Sequence, residues 1–225
     1  MLDIGNVLVS VNMNAIHEAA VTCGFTNSVN EGFTFMKGIE NICNFGLVDM
    51  NVGIDMFWGY KRQLVMGPEI YDEAKQKMIS TWCSTKCVTL NEAIVEHCYE
   101  ILLLRHPDIK IILTSNMGTD HYKYIKTLHP FFTDKDLHSV YSYKVGSIKP
   151  QQFFFETVQK KIDKITTNSK QNKMLYVDDK AENLYGAREI IDDLSLLCFD
   201  STKMKDNIFL DAIDDFIECG KLSHE

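Results

Sequence analysis

From residue 87 onward, short apolar segments alternate with amphipathic ones, and this alternation constrains the fold more than any other feature. Four apolar segments have the length of buried strands: 109–114, 139–143, 174–177 and 194–199. Amphipathic stretches separate them; Thr89 and Glu92 predict a capping box at the start of one helix, and Pro150 fits the first turn of another. The pattern predicts an α/β fold with a doubly wound, Rossmann-like parallel sheet.

The first nine residues form one more strand-like stretch. Residues 1–9 suggest a strand and the turn after it, with Asp3 at the end of the strand and Gly5-Asn6 as a tight-turn pair. Glycine near a strand end allows the backbone to approach a ligand closely. By itself this stretch favours an Asp that only closes a strand and enters a turn.

Between this strand and residue 87 the pattern is helical. Apolar residues recur at helical spacing, no strand-like alternation interrupts them, and Gly67-Pro68 marks a break between two helices. We expect an inserted all-helical cap of about four helices over 12–86. The Rossmann-like core then comprises 1–11 and 87–225.

Composition excludes several classes of function. The 225 residues carry a net charge of −8, which argues against nucleic-acid binding, since that requires a basic surface. The seven scattered cysteines indicate reduced thiols in the cytoplasm. Cys83 and Cys87 lack a second pair at ligand spacing, so a zinc site is not expected. No apolar run reaches membrane-spanning length and no signal peptide is evident, so we expect no membrane partner.

The carboxyl ends of the strands gather polar residues that are distant in the sequence. In open parallel sheets, ligands bind beyond these ends. Six residues are expected at this edge: Asp3, Ser115, Asn116, Asp178 and Asp179 after strands, and Lys149 just before a helix. Two like charges about 4 Å apart repel by roughly 4 kcal/mol at an effective dielectric near 20, so the three carboxylates need a cation. Oxygen ligands suit Mg²⁺, which also binds substrate phosphate.

These residues resemble the four motifs of the haloacid dehalogenase-like hydrolase superfamily. The motifs occur in order as Asp-Ile-Gly-Asn-Val-Leu at 3–8, Leu-Thr-Ser-Asn at 113–116, Lys-Pro at 149–150 and Val-Asp-Asp-Lys-Ala-Glu-Asn at 177–183. The helical insertion between the first two matches the family's helical cap, so the resemblance covers essentially the whole chain. It implies a Rossmann-like hydrolase with an aspartate nucleophile.

The resemblance also implies a ligand set for Mg²⁺. Asp3 would be both the nucleophile and a metal ligand, and the backbone carbonyl of Gly5 would be a second ligand. Asp179 would bind the ion directly, and Asp178 would bind it directly or through water. These residues supply only oxygen donors, which agrees with the preference of Mg²⁺.

The remaining residues would act on the phosphate. By the resemblance, Ser115 and Asn116 hold its oxygens, and Lys149 balances the charge of nucleophile and phosphate, so that Asp3, Ser115 and Lys149 form the catalytic set. His121 lies one turn into a neighbouring helix and is expected to be a surface histidine rather than a member of the site.

Two features depart from the usual family pattern. Most phosphatases of the superfamily carry a second Asp two residues after the nucleophile, as general acid and base, and here that position is Gly5. A branch with Asp-x-Gly-Asn includes sugar-phosphate phosphatases; in it the leaving group must take its proton from water or another residue. Only Met1 and Leu2 precede Asp3, so we expect a truncated product or an alternative start.

The sequence therefore predicts a Mg²⁺-dependent phosphatase acting through an aspartyl-phosphate. Its substrate would be a small phosphorylated metabolite, and a sugar phosphate is the favoured class because a roofed site disfavours large substrates. One alternative is a haloacid dehalogenase that uses the same Asp without a metal. Another is a catalytically weak or inactive homologue that binds a ligand or a partner.

Overall fold

The computed structural model describes residues 1–106, 108–135, 137–166, 173–219 and 222. Seven strands lie in these ranges: β1 (Leu2–Asp3), β2 (Val9–Val11), β3 (Val88–Leu90), β4 (Ile112–Ser115), β5 (His138–Tyr141), β6 (Met174–Asp178) and β7 (Leu194–Cys198). Five of the strands form one parallel sheet in the order β5-β4-β1-β6-β7. The predicted α/β fold with a doubly wound parallel sheet is confirmed.

Helices flank this sheet and fill the long segment between β2 and β3. In that segment they are α1 (Met13–Thr22), α2 (Val29–Asn44), α3 (Met50–Ile54), α4 (Tyr60–Met66) and α5 (Pro68–Trp82), with a π-helical turn at Asp55–Gly59. After β3 come α6 (Glu92–His97), a π-helical continuation Cys98–Arg105, α7 (Thr119–Ile125), a 3-10 turn Pro130–Thr133, α8 (Ser142–Val145), α9 (Gln152–Ile165), α10 (Ala181–Arg188) and α11 (Asp206–Cys219). None of the described helices combines the length and apolarity that crossing a bilayer requires.

Three hydrophobic clusters stabilise the molecule. Two include alternating residues of the same strands, for example Leu113 in one and Ile112 in the other, because successive side chains point to opposite faces of the sheet. The third cluster is built by α1–α5 and the turns between them, around Phe25, Met36 and Tyr71. The helical segment thus has a core of its own. The division into a cap at 12–86 and a core of 1–11 and 87–225 stays a prediction.

The first strand ends at Asp3, as the sequence predicts, and a turn follows it. Only Leu2 and Asp3 pair within the sheet, whereas Val9–Val11 pairs antiparallel with β3. Between them the amides of Leu8 and Val9 both donate to the carbonyl of Ile4, at 2.9 and 3.0 Å, which closes a compact turn. The apolar residues of this turn are fully buried, so burial rather than sheet pairing explains the apolar run.

Two predicted helix starts are wrong. Thr89 lies in β3 instead of capping a helix, and α6 begins after Asn91, which makes no side-chain capping bond. Pro150 lies in a turn, after a cis peptide bond with Lys149, and α9 begins only at Gln152. Both predictions rest on local sequence patterns. The backbone conformation is set instead by strand pairing at Thr89 and by the loop at Pro150.

Three contacts hold the helical segment against the carboxyl edge of the sheet. The Trp82 and His121 rings stack with centroids 4.5 Å apart. The Met50 amide donates to Asp120 Oδ2 at 2.8 Å, so a side chain of α7 caps α3. At Gly46, whose φ is +72°, a Cβ would overlap the carbonyl oxygen of Tyr143, so this turn needs glycine to approach α8.

Candidate active site

Three carboxylates meet at the carboxyl ends of the two central strands. Leu2 pairs with Val177, so the next residues in the parallel strands, Asp3 and Asp178, lie side by side, and Asp179 follows in the loop. One oxygen from each carboxylate lies within 4.8 Å of the others. Asp3 and Asp178 are buried and Asp179 is partly buried. Such a group of buried acids repels itself strongly and requires compensating positive charge.

Lys149 supplies part of that charge. Its ammonium lies 2.9 Å from Asp3 Oδ1, 2.6 Å from Asp178 Oδ2 and 3.2 Å from the carbonyl oxygen of Thr114, and only 3% of the residue is exposed. These contacts use the three donors of the ammonium. The Ile4 amide also donates to Asp3 Oδ1, at 2.7 Å. Within the described residues, the contacts of Asp3 thus fall on Oδ1 and leave Oδ2 for a reacting atom or a cation.

Asn116 fixes the position of Lys149. Its side chain accepts a hydrogen bond from the Lys149 amide at 2.7 Å and donates to the Lys149 carbonyl oxygen at 3.0 Å. The loop before α9 is therefore tied to the loop after β4 by both ends of one amide group. A contact between Asn116 and phosphate stays a prediction. Because the Asn116 side chain is bonded to Lys149, such a contact would come from the Asn116 backbone.

Electrostatic conditions differ between the two neighbouring aspartates. Burial raises the pKa of Asp3 to about 7, and Asp178 adds to the shift while Lys149 opposes it. Burial also opposes charge on Asp178, but the Lys149 ammonium and hydrogen bonds from Tyr176 and Asn183 hold its pKa below the usual value. Burial disfavours the Lys149 ammonium as well, yet the surrounding acidic groups raise its pKa well above the usual range. Lys149 and Asp178 thus form an ion pair beside Asp3.

Asp178 is held by more partners than the sequence suggests. The Tyr176 hydroxyl donates to Oδ2, Asn183 Nδ2 donates to Oδ1 at 2.8 Å, and the Lys180 amide donates to Oδ1 at 3.0 Å. Both oxygens are therefore engaged by protein donors. Tyr176 was not predicted as a site residue, although period-two alternation places it on the same face of β6 as Asp178.

Asn6 is a second residue that sequence reasoning missed. Its Nδ2 donates to Asp179 Oδ2 at 3.0 Å and its Oδ1 accepts from the Val11 amide at 3.1 Å. The backbone of Asn6 has φ +56°, a left-handed conformation that Asn tolerates better than most residues. The Gly5-Asn6 pair in the sequence indicated a tight turn but not the clamp on Asp179.

Ser115 and Gly5 are the two remaining predicted site residues near Asp3. Ser115 ends β4, one residue beyond Thr114, which pairs with Asp3, and it is buried. Gly5 follows Asp3 by two residues, and a Cβ placed on it would meet only Val11 Cγ2, at 3.8 Å. The backbone at Gly5 would therefore accept a side chain. The role of Ser115 in phosphate binding and that of the Gly5 carbonyl in metal binding stay predictions.

His121 is not the surface histidine that was expected. Its ring stacks on Trp82, and its Nε2 lies 3.3 Å from the Trp82 carbonyl oxygen. Burial lowers the pKa of His121 to about 4, so the ring is neutral at physiological pH. It joins α7 to the end of α5.

The donor set fits a hard divalent cation. Asp3, Asp178 and Asp179 are the one group of this kind among the described residues, and they offer only oxygen. Mg²⁺ prefers such ligands and retains several waters, so few protein ligands suffice. The single ammonium of Lys149 leaves at least one carboxylate uncompensated, and a divalent cation would neutralise it.

Comparisons with known proteins agree on the fold. No protein-family profile and no curated protein matches the chain. Among solved structures, a HAD (haloacid dehalogenase-like) family enzyme from Bacteroides thetaiotaomicron in complex with magnesium and inorganic phosphate has a TM-score of 0.69 and 20% identity, over 92% of this chain and 96% of that chain. Its magnesium complex gives a TM-score of 0.68 with the same identity and coverage.

A second solved protein has the same architecture. It is a predicted HAD-like family hydrolase from Porphyromonas gingivalis, with a TM-score of 0.57 and 16% identity, over 94% of this chain and 95% of that chain. At such identities the likeness establishes a shared fold and leaves the chemistry to be argued from the side chains.

Proposed function

We propose that this chain, which has the fold of the haloacid dehalogenase-like hydrolases, is a Mg²⁺-dependent phosphatase that forms an aspartyl-phosphate on Asp3. The observation that carries the proposal is the position of the Lys149 ammonium between Asp3 and Asp178, in a cluster that also contains Asp179. A buried carboxylate beside one fixed cation, with room for a second, is suited to attack an anionic phosphoryl group.

Asp3, Asp178 and Asp179 would hold Mg²⁺, together with the Gly5 carbonyl. Bound there, the ion would offset the charge of the transferring phosphoryl group. Both oxygens of Asp178 are already hydrogen-bonded, which favours contact with the ion through water, whereas the Asp179 carboxylate has one hydrogen bond among the described residues, from Asn6. The structural neighbour solved with magnesium and phosphate supports this choice of ion.

The remaining roles in the reaction belong to side chains and backbone groups of the protein. Asp3 Oδ2 attacks phosphorus, because Oδ1 is held by Lys149 and the Ile4 amide. Lys149 stabilises negative charge on the nucleophile and on the phosphoryl oxygens, and Ser115 and the backbone at Asn116 hold those oxygens. Water then attacks phosphorus and releases phosphate from Asp3.

The helical segment at 12–86 would act as a cap that selects the substrate. It contacts the carboxyl edge of the sheet through Gly46, Met50 and Trp82, and it therefore restricts the space above Asp3. Such a roof excludes water and large molecules. We propose a small phosphorylated metabolite as substrate, and a sugar phosphate as the first class to test.

Phosphate release from a panel of phosphorylated metabolites tests this function. We expect turnover that requires Mg²⁺, stops with a chelator and is lost in Asp3→Asn. Mg²⁺-dependent turnover that survives Asp3→Asn would overturn the role of Asp3. Halide release from haloacids that a chelator does not affect would instead indicate a dehalogenase. A folded protein that binds Mg²⁺ and turns over no ester would be a binding homologue.

A further inference from the structure

The carboxyl-terminal half of α2 lies across the two loops that flank Asp3. Cys43 packs on the loop after β4, where a Cβ on Gly118 would lie 3.0 Å from the Cys43 Cβ. Glu40, on the same helix face one turn earlier, interacts electrostatically with Lys180, in the loop after β6. Since β1 lies between β4 and β6, the segment from Glu40 to Cys43 spans the carboxyl end of β1 and hence Asp3.

Glu40 is half-buried in this position, and burial shifts its carboxyl towards the protonated form. Burial raises its pKa; Lys180 across the interface, a hydrogen bond with Asn44 and the charge of Lys37 oppose the shift without cancelling it. Two thiols also face the group, those of Cys43 on α2 and of Cys87 next to β3. Both thiols have raised pKa values through burial and so remain neutral.

We propose that Glu40 is the general acid and base of this enzyme, in place of the carboxyl that is absent at Gly5. The inference rests on the proposed function. A phosphatase that forms an aspartyl-phosphate needs a proton donor on the side of the leaving group, opposite the attacking oxygen of Asp3. Because α2 crosses the carboxyl end of β1, we infer that Glu40 faces the site from the side of the helical segment, which is the side from which a leaving group would depart.

Glu40 alone can donate the proton that the first half-reaction needs and recover it in the second. Asp3 Oδ2 attacks phosphorus and the bond from phosphorus to the ester oxygen breaks; the electron pair stays on that oxygen, which takes the proton of Glu40 and leaves as an alcohol. Water then attacks the phosphorus of the aspartyl-phosphate and gives a proton to the Glu40 carboxylate. Phosphate departs, and Asp3 and the protonated Glu40 are restored.

Esters with different leaving groups test the role of Glu40. p-Nitrophenolate leaves as a stable anion and needs no proton, whereas an aliphatic alcohol does. We expect Glu40→Gln to lower kcat for the best aliphatic phosphate ester by about 10²–10⁴-fold. First-turnover release of p-nitrophenolate should stay at the level of the control Glu73→Gln, which changes an exposed glutamate of α5, because forming the aspartyl-phosphate from this ester needs no proton donor. In the wild type, kcat for the aliphatic ester should fall as Glu40 loses its proton at rising pH, and this limb should vanish in Glu40→Gln.

A rescue experiment separates chemistry from folding. The backbone at Gly5 has room for a Cβ, so Gly5→Asp should restore aliphatic turnover in the Glu40→Gln background by supplying a carboxyl two residues after the nucleophile, where most phosphatases of the superfamily carry one. A loss of first-turnover p-nitrophenolate release as large as the loss of aliphatic turnover, or a wild-type profile without the alkaline limb, would overturn the role of Glu40 and leave the phosphatase intact. A wild-type chain that hydrolyses neither ester with Mg²⁺ would overturn the proposed function as well.

Discussion

Lys149 determines the charge state of the site. It is buried between two aspartates, and each of its donors is used. Removing one partner of a buried ion pair destabilises a protein more than the intact pair stabilises it, because the remaining charge is buried without water or an opposite charge. In this protein the loss would fall on two carboxylates at once. Lys149 thus affects both folding and chemistry.

Replacing this lysine should therefore destabilise the protein and inactivate it. We expect Lys149→Met to lower the free energy of unfolding by about 3–5 kcal/mol in urea denaturation without Mg²⁺. Lys160→Met, at an exposed position of α9, is the matched control and should change it by no more than about 0.5 kcal/mol. Equal effects of the two substitutions would show that Lys149 is not the partner of both carboxylates.

The sequence predicts some residues of the site and misses others for a physical reason. Asp3 and Asp178 follow apolar strands in a recognisable motif, so the rule that ligands bind at strand ends places them together. Tyr176 and Asn6 act through geometry that a sequence does not display. Tyr176 depends on which face of β6 is turned to the site, and Asn6 depends on a left-handed backbone in the first turn.

At the scale of elements, the turn at Gly46 positions the helical segment. Its positive φ and its approach to the Tyr143 carbonyl both require the absence of a side chain. Gly67 provides a natural comparison, since it has φ +83° but no atom within 4 Å of a Cβ built on it. Comparing alanine substitutions at the two glycines therefore distinguishes the free-energy cost of the backbone conformation from the cost of the steric contact.

Substitution of both glycines tests this contact. Gly67→Ala should lower the free energy of unfolding by about 1–3 kcal/mol, from the positive-φ backbone conformation alone, and keep full turnover. Gly46→Ala should be more destabilising and should also lower kcat/KM, because the turn can no longer approach α8. Urea denaturation and steady-state kinetics measure the two effects. Unchanged kcat/KM in Gly46→Ala would mean that this turn does not position the cap.

Strand positions were easier to predict than strand and helix ends. The segments 174–177 and 194–199 correspond closely to β6 and β7, whereas the segment 109–114 is a strand only from Ile112. β2 and β3 were missed altogether, since each has three residues and they pair with one another outside the main sheet. Such short strands form because the tertiary fold brings the two segments side by side, which no local pattern reveals.

For the molecule as a whole, the contact between His121 and Trp82 couples stability to pH. The ordinary pKa of histidine is 6.5, and burial lowers that of His121 to about 4 in the folded state. Protonation therefore favours unfolding. Its cost is absent above pH 6.5 and grows as the pH falls from there towards 4.

This linkage predicts a loss of about 2 kcal/mol in the free energy of unfolding between pH 7 and pH 5 from His121 alone. Urea denaturation at both pH values should show that the pH dependence shrinks by this amount in His121→Phe, which retains an aromatic ring against Trp82. His106→Phe, at an exposed histidine, should leave it unchanged. A pH dependence that is the same in all three proteins would contradict a buried neutral His121.

The central claim concerns a covalent bond to Asp3, and trapping that bond tests it most directly. The wild-type protein is mixed with Mg²⁺ and the best phosphate ester, quenched with acid and treated with borohydride, which reduces an acyl phosphate, and its peptides are analysed by mass spectrometry. We predict that the aspartate at position 3 is converted to homoserine only when both ester and Mg²⁺ are present. Turnover without this conversion, or conversion at another aspartate, would contradict the account.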